Sequence, residues 1–178
     1  FDKDGAVRTR YAADDMYGIF VSNRGEFNER VKRMIIATEN KINIYQKAAS
    51  LKVFDTYIVM PEQFILIDHM TWPLKIPPDF DFFKQEWAYM ATPKNNPERK
   101  SVWSSLYYDP YLKYWMVSNA SPIYNGDEYL GSVGHDIVLV ELIKPISEYQ
   151  QGIPGSQHIL ITSDGLLVYH PEFGKLLE

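Results

Sequence analysis

Thr56 to Asp68 reads TYIVMPEQFILID, two apolar runs on either side of Pro61-Glu62-Gln63. Val, Ile, Tyr, Phe and Thr suit a pleated, buried strand, and the proline with its polar neighbours supplies a break, so the stretch predicts a β-hairpin. About one hundred residues later the layout returns. His158 to Pro171, HILITSDGLLVYHP, is again an apolar strand, a polar turn at Ser163-Asp164-Gly165, and an apolar strand that ends in His, as TYIVMPEQFILIDH does at His69. Repetition at this spacing predicts two modules of one architecture in tandem. The first would be complete and the second present only as its opening hairpin. The boundaries read as a lead-in over 1–25, a long helix and first module over 26–150, and a connector with the second module's hairpin over 151–178.

Beyond the first hairpin, Trp72-Pro73 and Pro77-Pro78 mark a loop. Phe82, Phe83, Trp87 and Met90 recur at helical spacing over 79–90, with Asp79 or Asp81 to cap the start. A polar loop over 92–100 leads to three expected strands, 102–108, 114–124 and 129–139. Asp109-Pro110 and Asn125-Gly126-Asp127 would make their turns. A short helix over 140–150 carries Pro145. Before the first hairpin, residues 26–51 hold neither Pro nor Gly, and Val31, Met34, Ile35, Ile42, Tyr45 and Ala49 form one stripe. One long helix is expected there, capped by Ser22 or Asn23. Its stripe would pack on its own domain or be shared with a second copy. A short helical piece is expected over 12–20.

Composition narrows the function. The chain has 178 residues, 46% hydrophobic and 23% charged, which is ordinary for a globular domain. Its net charge of −5 is the wrong sign for sequence-independent nucleic-acid binding. No apolar run approaches the roughly 20 residues of a membrane span. A chain that opens at Phe1 without a signal peptide reads as a mature or excised segment. Cysteine is absent, which removes thiol catalysis, Cys-ligated zinc and iron–sulfur chemistry and suits an extracytoplasmic setting. The four histidines show no metal spacing, and no cofactor is expected. Gly131-Ser-Val-Gly134 lacks the spacing of a nucleophile elbow, and His135 and Asp136 point to opposite faces of a strand, so an enzyme is not expected.

Aromatic residues are concentrated instead. Eight lie among the 27 positions from Trp103 to Tyr129, about twice the density of the chain's 15% average, and six of them are tyrosines. A core alone would use Leu, Ile and Phe, since each buried Tyr hydroxyl needs a partner. Positions two apart share a strand face, so Tyr107 points with Asp109, and Ser132 and Gly134 point with Asp136. Two carboxylates among rings suit a cation, through charge-assisted hydrogen bonds and cation–π contact. The candidate site is Trp87, Tyr107, Asp109 and Asp136, with Tyr89, Trp103 and Tyr124 as further walls. The structural alternative is that Asp109 caps the Asp-Pro turn and Asp136 caps the following helix or satisfies backbone groups.

Four stretches carry a resemblance: WSSLYYD (103–109), SNASPIY (118–124), YLGSVGHDI (129–137) and DGLLVYHP (164–171). In this order they resemble the double Cache, PAS-like, extracytoplasmic sensor domains of bacterial histidine kinases, diguanylate cyclases and chemoreceptors. The resemblance spans residues 26–178. It implies an α+β fold in which a long N-terminal helix packs on a five-stranded antiparallel sheet, followed by the start of a second similar module. Amino-acid-binding members of that family read the ligand with Arg-x-Trp on the pocket helix, Tyr-x-Asp on a strand and a later strand Asp. Trp87, Tyr107, Asp109 and Asp136 match; the Arg position holds Gln85, beside Lys84. In the family that Arg holds the ligand carboxylate, while the aspartates and the Tyr hold its ammonium, so the amine half of the pocket is kept. The resemblance implies a periplasmic sensor for a small amine or amino-acid-like ligand. Segments outside this chain would anchor it to the membrane, and the long helix offers a homodimer contact. The alternatives are a ligand-independent dimerisation module and a carboxylate-binding sensor.

Overall fold

The computed structural model describes residues 2–9, 17–39, 41–48, 53–148, 155–163 and 165–172. In chain order these hold β1 (Val7–Arg8), β2 (Gly18–Val21), α1 (Glu29–Thr38), α2 (Ile42–Ala48), β3 (Asp55–Met60), β4 (Phe64–Ile67) and α3 (Trp72–Lys75). After a 3-10 turn at Phe82–Lys84 come α4 (Glu86–Tyr89), β5 (Val102–Trp103), β6 (Tyr107–Asp109), β7 (Tyr114–Asn125), β8 (Glu128–Val138), α5 (Leu139–Glu148), β9 (Leu160–Ile161) and β10 (Leu167–Tyr169).

One antiparallel sheet runs β1-β2-β4-β3-β8-β7-β5, with β6 also on β7. The expected hairpin is β3–β4, and the three expected strands are β5 with β6, then β7, then β8. Eight strands stand where five were expected. Two come from the expected lead-in, because Gly18–Val21 pairs with β4 and carries β1 at the sheet edge. The helical piece expected over 12–20 is therefore a strand from Gly18 onward, and its start lies outside the described residues. Alternation in GIFV is too short to register against the glycines around it.

β3 is buried along its whole length because both faces of the sheet are covered. Tyr57 and Val59 point to one side, against Trp72, Ile76, Phe82 and Trp87. Ile58 and Met60 point to the other, where Val31 of α1 and Ile42 of α2 pack with Phe64 and Leu66. The continuous apolar run from Tyr57 to Met60 is what a strand covered on both faces requires.

The long helix expected over 26–51 is two helices. Asn28, rather than Ser22 or Asn23, caps α1, its Oδ1 accepting from the Val31 N–H at 3.1 Å. At the far end the Thr38 hydroxyl bonds back to the Met34 carbonyl at 2.7 Å, and the Lys41 N–H closes a tight turn on the Thr38 carbonyl. Such back-bonding competes with helix continuation. Residues 49–51 lie outside the described residues. The helix expected over 79–90 is also divided, since Gln85 is extended at φ −92°, ψ 133° between the 3-10 turn and α4; Asp81 caps the turn through the Phe83 N–H. Trp72-Pro73, expected as loop, opens α3 with Pro in its first turn, where a missing N–H costs nothing.

β9 and β10 form a two-stranded sheet of their own, turned after Thr162. Residues 151–154 of the expected connector lie outside the described residues.

Candidate functional site

Register across the centre of the sheet brings the candidate residues together. Asp136 of β8 lies opposite Asp55 of β3 on one side and Ser118 of β7 on the other, so the three share a face. Two residues along, Gly134 lies opposite Tyr57. A Cβ on Gly134 would come within 2.2 Å of the Tyr57 ring, so only glycine lets that ring lie across β8. Tyr57 then donates to the Trp87 carbonyl at 3.0 Å and meets the Trp87 ring edge-on at 5.0 Å. The strands thus place α4 above the acidic residues.

Trp87, Tyr107, Asp109 and Asp136 line one cavity with Tyr57, Trp72 and Leu112. The Asp136 Oδ1 accepts from the Ser118 hydroxyl at 2.5 Å and the Tyr107 hydroxyl at 3.4 Å. Asp109 accepts the Tyr111 and Leu112 N–H groups at 2.7 Å each on Oδ1, and the Trp72 indole N–H at 3.2 Å on Oδ2. Asp109 therefore caps its turn, as the structural alternative had it, and also faces the cavity. The open space is about 10 Å³, roughly the room of one water. Anything larger than a water would need the cavity walls to move apart.

Three expected walls lie elsewhere. Tyr89 is 38% exposed on the outer side of α4, and Trp103 is 55% exposed. Trp103 lines a groove of about 600 Å³ with Leu139, Leu142, Leu160 and Val168, between the first sheet and the β9–β10 hairpin. Tyr124 sits at the β7–β8 turn, packed on Tyr129 and under the Arg99 guanidinium at 4.0 Å. The physical reason is reach. Trp103 lies opposite Asn119 and so takes the face opposite the one that Ser118 shares with Asp136, and Tyr124 follows the β7–β8 register shift after Ile123. Asp55, Tyr57, Trp72 and Ser118 were not read from the sequence as site residues. Period-two alternation through Asp55, Tyr57 and Val59 could have found the first two once β3 was paired with β8.

The electrostatics are one-sided. Asp55 is fully buried, Asp109 and Asp136 are nearly so, and among the described ion pairs none involves any of the three. Lys84 is exposed and Arg99 is held by Asp127 at 2.9 Å, so neither turns inward. Burial, and then the neighbouring Asp136 charge, push the Asp55 carboxyl well above the ordinary carboxylate range. Burial likewise raises Asp136, against the lowering effect of its Ser118 hydrogen bond. His135 points to the other face and bonds Thr56 Oγ1 at 2.9 Å. No group of three or more metal-ligating side chains among the described residues has the geometry to hold a metal ion.

A pH dependence follows. Carboxyls raised in the folded state bind more protons than in the unfolded chain, so stability falls as pH rises from the ordinary carboxylate value through the raised ones. The ligand-free protein is expected to gain stability on going from about pH 7.5 to about pH 5 by up to about 1.4 kcal/mol per pH unit per proton, relative to Asp55→Asn. Melting curves of both proteins across that range check it; parallel curves would remove the assignment.

A family model for the methyl-accepting chemotaxis protein-like first PDC sensor domain matches residues 17–144. No curated protein matches. Among solved structures, the sensory domain of the Campylobacter jejuni chemoreceptor Tlp3 with isoleucine bound is similar, at 17% identity and TM-score 0.61 over 85% of this chain and 56% of that one. The ligand-binding domain of the Pseudomonas fluorescens chemoreceptor CtaA in complex with L-serine matches at 21% identity and TM-score 0.58, over 83% and 66%. That of the Pseudomonas aeruginosa amino acid chemoreceptor PctB with L-arginine matches at 18% and 0.57, over 84% and 66%. The chain spans between half and two-thirds of the length of these domains, and the likeness is one of fold.

Proposed function

The chain belongs to the family of methyl-accepting chemotaxis protein-like first PDC sensor domains, and from that premise we propose that it is the membrane-distal ligand-sensing module of a transmembrane receptor, binding the ammonium of a small amine or amino-acid-like ligand at Asp136. Domains of this family are extracytoplasmic sensors, not enzymes. No helix among the described residues is long and apolar enough to cross a membrane, so anchoring would fall to segments outside this chain. The β9–β10 hairpin would open the membrane-proximal module, with residues 151–178 as its beginning.

One observation carries the reading. Asp109 and Asp136 face a single ring-lined cavity with no described cation to balance them. Buried carboxylates without a counter-charge are costly, and an ammonium relieves that cost as it binds. Relatives of the same fold were solved with isoleucine, L-serine and L-arginine, which share an α-ammonium. Gln85 stands where those amino-acid sites are expected to carry the carboxylate-holding Arg, so the ammonium is the group this pocket grips.

A thermal-shift screen of primary amines, amino acids and dicarboxylates tests this. A ligand at 100 times its Kd adds about 2.7 kcal/mol of stability. Amines and amino acids are expected to raise the melting temperature and dicarboxylates to leave it unchanged; stabilisation by dicarboxylates alone would defeat the proposal. A second reading, dimerisation through the helical layer, is favoured by Ile36 and Ile44, both more than half exposed on α1 and α2. Sedimentation showing a dimer that no ligand strengthens would support that reading instead.

A further inference from the structure

Asp55 is completely buried, and neither of its carboxylate oxygens meets a hydrogen-bond donor. Its register partner is Asp136, whose Oδ1 is already taken by Ser118 and Tyr107. Directly opposed side chains in an antiparallel pair have Cβ atoms about 5 Å apart, which puts the two carboxyls within reach of one proton. Two like charges at that separation, away from water, cannot both persist, and a single proton between them supplies the donor that Asp55 lacks. The other groups facing the pair give no positive charge. They are Asp109 from β6, Asp68 after β4, and the Tyr57 and Tyr107 hydroxyls. Burial disfavours the charged forms of His69 and His135 as well.

We propose that Asp55 is the positioning residue of this site, sharing one proton with Asp136 in the ligand-free protein, and that an arriving ammonium displaces that proton to solvent. The exchange balances: one proton leaves the pair, one ammonium charge enters, and the net charge of the cavity is unchanged. Asp55 acts through Asp136, deciding whether Asp136 is free to accept the ligand. The exchange rests on the ammonium reading given above; the shared proton does not.

The experiment uses the full chain with ¹³C-labelled aspartate, and propylammonium chloride as the probe. In the ligand-free protein the NMR titration is expected to show one carboxyl of the pair still protonated at neutral pH, and Asp55→Asn to abolish that signal, since the Asn amide supplies the missing donor without a second charge. Calorimetry is expected to show propylammonium affinity rising about tenfold per pH unit while the pair holds its proton, with about one proton released, and a flat profile in Asp55→Asn. Two ionised carboxyls at neutral pH in the parent protein would overturn the shared proton, whatever the variant does. Binding whose affinity ignores pH would overturn the exchange and leave the ammonium reading standing. A protonated pair in a protein that does not bind propylammonium would overturn the exchange together with the ammonium reading, the shared proton alone remaining.

Discussion

Asp136→Asn is expected to weaken binding of a primary amine by about 30-fold to several thousand-fold, the 2–5 kcal/mol that follows from removing one partner of a buried, hydrogen-bonded charge pair. The substitution leaves the fold in place. Asn keeps an oxygen for the Ser118 and Tyr107 hydroxyls, and its amide can donate to Asp55, whose oxygens meet no other side-chain or backbone donor. The ligand-free melting temperature near neutral pH is therefore expected not to fall, because the Asn amide takes the place of the proton the pair shares and no packing is lost. Calorimetry with the best amine or amino acid from the screen, beside a melting curve of each protein, separates the two effects. Unchanged affinity in Asp136→Asn would remove Asp136 from the site.

The largest loss of stability is expected from Phe82→Ala. Phe82 has no exposed surface, and its ring meets those of Phe80 at 5.3 Å, Phe20 at 5.9 Å, Trp87 at 6.1 Å and Trp72 at 6.4 Å. Phe20 is fixed in β2, Trp72 in α3 and Trp87 in α4, so the hole cannot collapse around the smaller side chain. Truncating a buried Phe costs about 3–5 kcal/mol. In a domain of this size that lowers the melting temperature by about 6–20 °C. Denaturant titration checks it, and a loss below about 1 kcal/mol would mean that the ring cluster is not the rigid cover described. Because the cluster roofs the cavity, the same variant is expected to lose ligand binding along with stability.

The sheet was legible wherever its strands were long or fully covered. TYIVM and FILI read as strands because they are short runs of β-branched, aromatic and aliphatic residues, and the β7–β8 hairpin read from its Asn-Gly-Asp turn. β2 and β1 were not legible, since four and two residues carry no period of their own and become strands only by pairing, β2 with β4 and β1 with β2. The helix boundary at Thr38 was hidden for a related reason. The apolar stripe continues from Met34 and Ile35 to Ile42 and Tyr45 across the break, so periodicity sees one element where a hydroxyl has ended the first. Of the candidate residues, those that share one cavity are Trp87 on α4 and three whose spacing along a strand sets their direction, Tyr107 with Asp109, and Asp136. Those missed depend on which strands are neighbours. Nothing local to Asp55 or Ser118 marks them, and only pairing with β8 puts both beside Asp136.

β8 runs without interruption from Asp136 into α5, which begins at Leu139. An extended chain at about 3.3 Å per residue is already near its full length and cannot stretch. Between the carboxylate and the first turn of the helix there is thus a taut link of three peptide units, stiff along its length and with no slack to absorb a pull. Leu139 and Leu142 on that helix face the groove shared with Leu160 and Val168 of the second hairpin. Three peptide units of extended strand connect Asp136 directly to the helix that lines this groove. The acidic site and the groove against the β9–β10 hairpin thus lie at the two ends of one short, unbroken stretch of chain.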